Sequence, residues 1–229
     1  MDSKNSTDML YSEISTLIER RRRVSSGDAP EVFIDDNLIV RVRFCGHDWR
    51  ALDVQGGKAL LLSEKTLGEK PYHSEFKEIT WETCDLRKYL NGEFYDKLDP
   101  AKSMIAETRI ENDDNPWYGT DGGNATIDKI FLLSIEEAVQ YFGDSGQLRT
   151  HPKDSDGGDP TWIDDQYNDA RSATDEAGRL SPWWLRSLGG LHGDCATAAR
   201  VSGDGLLDIY GHFVNYDWVG VRPALWLNL

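Results

Sequence analysis

Asp154, Asp156 and Asp159, in the run DSDGGD, set three carboxylates around a glycine turn, and hard oxygen ligands on such a turn are how loops hold calcium. No acidic residue closes the loop at the position the EF-hand pattern requires, so a solvated turn competes with a calcium site. His47, His73, His151, His192 and His212 never fall in HxxxH or HExxH spacing, which leaves a zinc hydrolase or an iron facial triad without local support. GxSxG, GxxxxGK[ST] and GxGxxG are missing too, so nucleophilic hydrolase, phosphate-loop and dinucleotide readings lack their warrants. Asp and Glu number 40, enough that two could pair in space as in a glycosidase. A carboxylate-based enzyme, with or without calcium, therefore stands as an alternative; the expectation is a protein that binds and does not catalyse, with no cofactor beyond a candidate calcium.

The elements that must position these residues fit one domain and an appendage in 229 residues. Net charge is -15, which repels phosphate backbones and anionic membrane surfaces and argues against nucleic acid as a partner. Cys45, Cys84 and Cys195 are odd in number and far apart, so reduced structural thiols are expected. The first residues lack an apolar core of signal-peptide length, and no apolar run reaches transmembrane length. A cytoplasmic protein without membrane insertion is expected, or a surface or virion-associated one if a leader was removed. Leu10, Ile14, Leu17 and Ile18 mark one face of an N-terminal helix, and with SSGDAP as linker they assign residues 1–29 to an amphipathic appendage for homo-oligomerisation or partner docking.

Residues 30–229 read as an α+β domain. VFIDDNLIVRVRF, HDWRALDVQ and KALLLSE alternate with period two and predict an antiparallel meander with a turn at Gly56 and Gly57. TWETCDLRKYLNGEFYDKL predicts a helix capped by Thr83 or Asp85, with Leu86, Tyr89, Leu90 and Phe94 buried and a break at Gly92. Ser134 and Glu137 form a capping box, and Gly143 stops that helix. The acidic stretches 111–128 and 151–180 are long loops, and Trp117, Tyr118 and Trp162 predict that they are packed.

The tail changes character. Glu, Lys, Gln and Met make up 31 of the 229 residues, so about four or five belong in the 33 residues from Ser187 to Val219 by average usage, and there are none. Strand and glycine content deplete these types on their own. Asp, Tyr, His, Asn, Ser and Gly take their place, the palette of an adaptable recognition surface.

ITWETCDLRKYLNGEFY (79–95), IDKIFLLSIEEAVQYF (127–142), WWLRS (183–187) and GVRPALWLNL (220–229), in this order, resemble a bacterial and phage family catalogued as a domain of unknown function. The likeness spans roughly Val32 to Leu229. That family is similar to the C-type lectin fold in the version shared with formylglycine-generating enzymes, with short antiparallel strands, few helices and long ordered loops. Many members with this ending are variable proteins of diversity-generating retroelements, in which adenine-directed mutagenesis rewrites the 3′ end of the gene.

The resemblance implies a variable region at about 187–219 that binds a protein or other macromolecular ligand. Asn-type codons mutated at their adenines cannot give Lys, Glu, Gln, Met or Trp, which matches the missing types apart from Trp218. It makes Ala199, Val201, Gly205, Gly211, Val214 and Gly220 the fixed skeleton. It makes His192, Asp194, Arg200, Ser202, Asp204, Asp208, Tyr210, His212, Asn215, Tyr216 and Asp217 the display positions. Strand alternation puts Asp208, Tyr210 and His212 on one face and Ile209 and Phe213 on the other, with Tyr210 and Tyr216 as binding anchors. Trp183, Trp184, Trp226, Arg186 and Arg222 are expected to form the frame. The catalytic cysteines of formylglycine-generating enzymes, the histidines of their iron-dependent relatives and the calcium-sugar motifs of lectins have no counterpart here, so the fold resemblance carries no chemistry across. A non-diversified binding or structural module of the same fold is the other alternative.

Overall fold

The alternation between Glu31 and Ser63 builds β1 (Glu31–Ile34), β2 (Val40–Phe44), β3 (His47–Gln55) and β4 (Lys58–Ser63), antiparallel throughout. A computed structural model of the protein describes residues 3–22, 30–99, 101–151, 160–192 and 195–229. Val40, Val42, Phe44, Trp49 and Ala51 turn into the core, while Arg41 and Arg43 alternate outward. The last strand, β11 (Ala224–Asn228), returns to lie beside β4, giving the order β1-β2-β3-β4-β11. Ala59 to Ser63 are all buried, as a central strand covered on both faces requires.

Helix α1 (Ser3–Arg22) packs on β1, β2 and β3. Ile14 and Ile18 join the same core as the strands, and Thr7 donates to the Leu38 carbonyl at 3.1 Å. Of the stripe that periodicity marks, Ile14 and Ile18 are covered by the chain's own sheet, Leu10 packs beside them, and Leu17 is half-buried. Helix α2 (Asp85–Tyr89) begins at neither expected cap: the Cys84 sulfur accepts from the Arg87 amide. Gly92 does not break the helix either. It sits in a π turn, Leu90–Phe94, that leads into α3 (Tyr95–Lys97) and keeps Leu86, Leu90 and Phe94 buried, with Tyr89 half-buried beneath Lys70. Helix α4 (Ile135–Phe142) has both bonds of the expected capping box and stops at Gly143.

A short pair, β5 (Thr108–Ile110) and β6 (Thr126–Asp128), closes the first acidic loop. The second sheet holds β7 (Trp162–Ile163), β8 (Trp183–His192), β9 (Cys195–Val201) and β10 (Leu207–Phe213) in the order β7-β10-β9-β8. Helices α5 (Gln147–Thr150) and α6 (Asn168–Arg171) flank β7 in the chain. The architecture is α+β with short antiparallel strands, as expected. Two aromatic residues depart from the expectation: Trp162 is exposed, its neighbour Ile163 filling the core instead, and Trp226 is half-buried at a shallow groove beside Lys58 and Arg109.

Buried guanidinium groups join these pieces. Arg186 donates to the carbonyls of Leu132 and Glu111 and pairs with Glu137. Arg222 donates to the carbonyls of Ser63, Arg171 and Glu64 between the rings of Trp183 and Phe142. A third, Arg171, is fully buried in the second acidic loop, where it binds the Gly205 carbonyl at 2.9 Å and pairs with Asp165 at 2.6 Å. Both partners of that pair are out of water, so removing one strands the other charge. Asp165→Ala is expected to lower unfolding free energy by about 3–5 kcal/mol in a urea titration. A loss below about 1 kcal/mol would show that the pair does not anchor the loop.

Candidate functional site

Hydrogen-bond register sorts the side chains of the β9–β10 hairpin onto two faces. Ile163, Leu207, Val201 and Trp183 stand in register across the four strands, and all are fully buried. One residue along, Trp162, Asp208, Arg200 and Trp184 form the opposite row. Trp184 is covered there, its indole nitrogen donating to the Lys70 carbonyl at 2.9 Å, while Asp208 and Arg200 reach the surface and pair at 3.1 Å. The Arg200 guanidinium lies 5.3 Å from the Trp218 ring centre.

Beyond Asp208 the register slips, because β10 spends more residues than β9 between the Asp208 and Ala198 pairings. Gly211 takes φ 76° in this bulge, and a Cβ there would overlap the Ala198 carbonyl. Asp208 caps the bulge by accepting the Gly211 amide at 2.8 Å, so this half-buried carboxylate has a structural duty as well as a place on the face. The bulge corrects the simple alternation expected for this strand. Ile209 is buried as predicted, but Phe213 is half-buried, 4.9 Å from Phe76 in an aromatic cluster with His212 and Tyr216. His212 lies 4.2 Å from Tyr216 and 5.5 Å from Trp218. Burial, then the Arg200 charge, holds His212 below its ordinary pKa against the pull of Asp208, so the imidazole is neutral at pH 7 and its Nδ1 accepts the Phe213 amide.

The remaining display positions fall into separate places. Ser202 and Asp204 build the turn: the Ser202 hydroxyl donates to Asp204 and accepts the Leu206 amide. Asn215 and Asp217 are exposed beside Tyr216, with no side-chain partner among the described residues. The backbone of His192 ends β8. Asp194 lies outside the described residues, as do Asp154, Asp156 and Asp159. Among the described residues no group of three His, Cys, Asp or Glu could hold a metal ion, and no helix is long and apolar enough to cross a membrane.

Tyr210 belongs to a second feature. Its ring lies edge-on to Tyr118 at 5.4 Å, its hydroxyl donates to the Leu191 carbonyl, and it occupies the space a Cβ at Gly190 would need. Together with Ile79, Leu188, Glu78 and Asp121, the two tyrosines line a groove of about 390 Å³. Asn115, buried in the first acidic loop, fixes this wall: its amide donates to the carbonyls of Leu188 at 2.8 Å and Ile209 at 3.0 Å, and its oxygen accepts the amides of Trp117 and Tyr118. Sequence reading missed Asn115, Arg171 and Gly190; an Asn inside NPW at a loop start hints only at a turn. Burial raises the Glu136 carboxyl above its ordinary pKa, and Glu136 lines neither groove.

Behind the aromatic cluster, the His73 amide donates to the Val214 carbonyl, and its ring lies against Asp85, with Nδ1 2.9 Å from Oδ2 but outside hydrogen-bond geometry. The Ser74 hydroxyl donates to the same carboxylate at 2.6 Å.

A family model described as "Domain of unknown function (DUF6273)" matches residues 56–229. No curated protein and no solved structure matches the chain.

Two expectations follow from this geometry. Gly211→Ala forces a side chain into a left-handed position against a carbonyl and is expected to cost at least about 2 kcal/mol, whereas Asn215→Ser and Asp217→Ser should each stay within about 0.5 kcal/mol. Equal losses in chemical denaturation would contradict the division between skeleton and surface. Donation from the Ser74 hydroxyl, ahead of every other favourable contact, holds Asp85 down to about 2 from 3.8. A carboxylate depressed in the folded state contributes stability that is complete above 3.8 and is lost as pH falls through about 2. Ser74→Ala should move the Asp85 midpoint up toward 3.8 in an NMR titration; a midpoint still near 2 would assign the shift to other contacts.

Proposed function

The chain belongs to the DUF6273 family, and we propose that this member is a ligand-binding protein with a C-type-lectin-like frame, whose surface at about 187–219 is diversified by a retroelement to bind protein ligands. One coincidence carries the reading. Of the display positions whose side chains are described, from Arg200 to Asp217, none is buried, whereas five of the six skeleton positions, Ala199, Val201, Gly205, Val214 and Gly220, are; the sixth, Gly211, is half-buried and is set apart by its left-handed backbone instead. A surface can vary without unfolding its support only when those two sets are separate.

Rigid strands carry this face, and Tyr216, His212 and Trp218 give it aromatic area at low conformational entropy cost. Trp218 lies inside the region yet outside the reach of adenine mutagenesis, so in this reading it is a constant anchor around which the other positions change. Protein ligands suit the face because it is mixed in polarity, with half-buried His212, Tyr216 and Arg200 beside exposed Asn215, Asp217 and Trp218.

The native locus tests the proposal. A near-copy of codons 187–219, differing almost only at template adenines and lying beside a reverse transcriptase gene, is the expected finding, with the Trp218 codon the same in both copies. Absence of both the repeat and the reverse transcriptase would overturn diversification.

A further inference from the structure

We propose that the groove between Tyr118 and Tyr210 receives a Lys or Arg side chain of a protein ligand. The groove combines what a long cationic side chain needs. Ile79 and Leu188 are buried and form an apolar floor, and the half-exposed Leu191 extends it to the rim. The methylene stem of Lys or Arg would lie along these residues while its charged end stays near water. Tyr118 and Tyr210 supply two aromatic rings set nearly perpendicular, at 86°, so that a cation can meet a face of one and pack along the other. Glu78 and Asp121 are exposed at the groove, and among the described residues neither has a cationic partner.

Charge distinguishes this groove from its neighbour. Among the described residues no Lys, Arg or His lines it, whereas the shallow groove at Trp226 carries Lys58 and Arg109. The chain as a whole, at -15, favours approach of a basic segment. The walls are also fixed in advance. Asn115 ties the Tyr118 loop to both β8 and β10, and the Tyr210 hydroxyl is held by the Leu191 carbonyl, so little order has to be imposed on binding. The inference rests on the proposed function only for the occupant being part of a protein.

N-acetyl-arginine methylamide, with its neutral citrulline counterpart as control, is the probe, read by amide chemical shifts of the full chain. The expected result is saturable movement of Tyr118, Leu191 and Tyr210, with a dissociation constant of about 1–10 mM. The citrulline compound should bind at least about fivefold more weakly. The double variant Glu78→Gln with Asp121→Asn changes only exposed side chains and should weaken arginine binding about fivefold; Tyr210→Ala should do the same. Equal binding of the two compounds, shifts confined to other surfaces, or none up to about 50 mM would overturn the proposal. Arginine binding here at a locus without a template repeat would keep the groove and remove diversification. A repeat without such binding would do the reverse.

Discussion

Arg222 lies wholly out of water between Trp183 and Phe142, its nitrogens committed to main-chain oxygens of Ser63, Arg171 and Glu64. Two of these oxygens lie at the end of β4, on Ser63 and the residue after it, and the third at the end of α6 in the second acidic loop, while the Trp183 ring beside the guanidinium belongs to β8. Burial draws the Arg222 pKa from 12.5 to about 9, and the group remains a cation at neutral pH. Burial works to raise the Glu64 carboxyl, but Arg50, Arg222 and Arg41 together bring it below its ordinary value, so a counter-charge stands beside the buried cation. A planar group with five donors is suited to this work, and the compact ammonium of lysine is not. The two main sheets are joined at this point, and the hairpin surface inherits its position from it.

The features legible in the sequence are those decided within a few residues. The meander of β1 to β4 follows from period-two alternation around Gly56 and Gly57, and α4 follows from Ser134, Glu137 and Gly143, each within a turn of the next. Arg186 and Arg222 were readable as frame because a charge set among tryptophans near the end of a chain needs partners that only the interior can supply. What stayed hidden depends on distant partners. Asn115 meets residues 73 and 94 positions away, and Arg171 meets Gly205 34 positions away. No local pattern distinguishes such an Asn or Arg from others in acidic, glycine-rich loops. The π turn at Gly92 escaped for a related reason: a glycine in a helix reads as a break, but Leu90 and Phe94 pack on the core and the Asn91 side chain bonds the main chain of Arg87, Lys129 and Ile130.

The candidate site shows the same limit at finer scale. Alternation located the outward row containing Arg200 and Asp208, but not the bulge that redirects the strand after it. Asp208 is at once an ion-pair partner on the surface and the cap of Gly211, so a change there alters both the chemistry and the shape of the face. Ser202 and Asp204 are likewise bound up in their turn. Asn215 and Asp217 bear no such duties. The positions on this surface are thus unequal in their freedom, graded by how much backbone each holds.

The family match begins at Gly56, inside the turn between β3 and β4, whereas the first sheet takes three of its five strands from residues before that point. β4 is the strand with β3 on one side and β11 on the other, and its Leu60, Leu61 and Leu62 are buried. Cut at the family boundary, the domain would turn this central strand into an open edge: a row of unpaired amides and carbonyls flanked by leucines, free to template pairing with another chain. The N-terminal strands therefore belong to the same sheet as the matched region, with β3 pairing the edge that β4 would otherwise leave open.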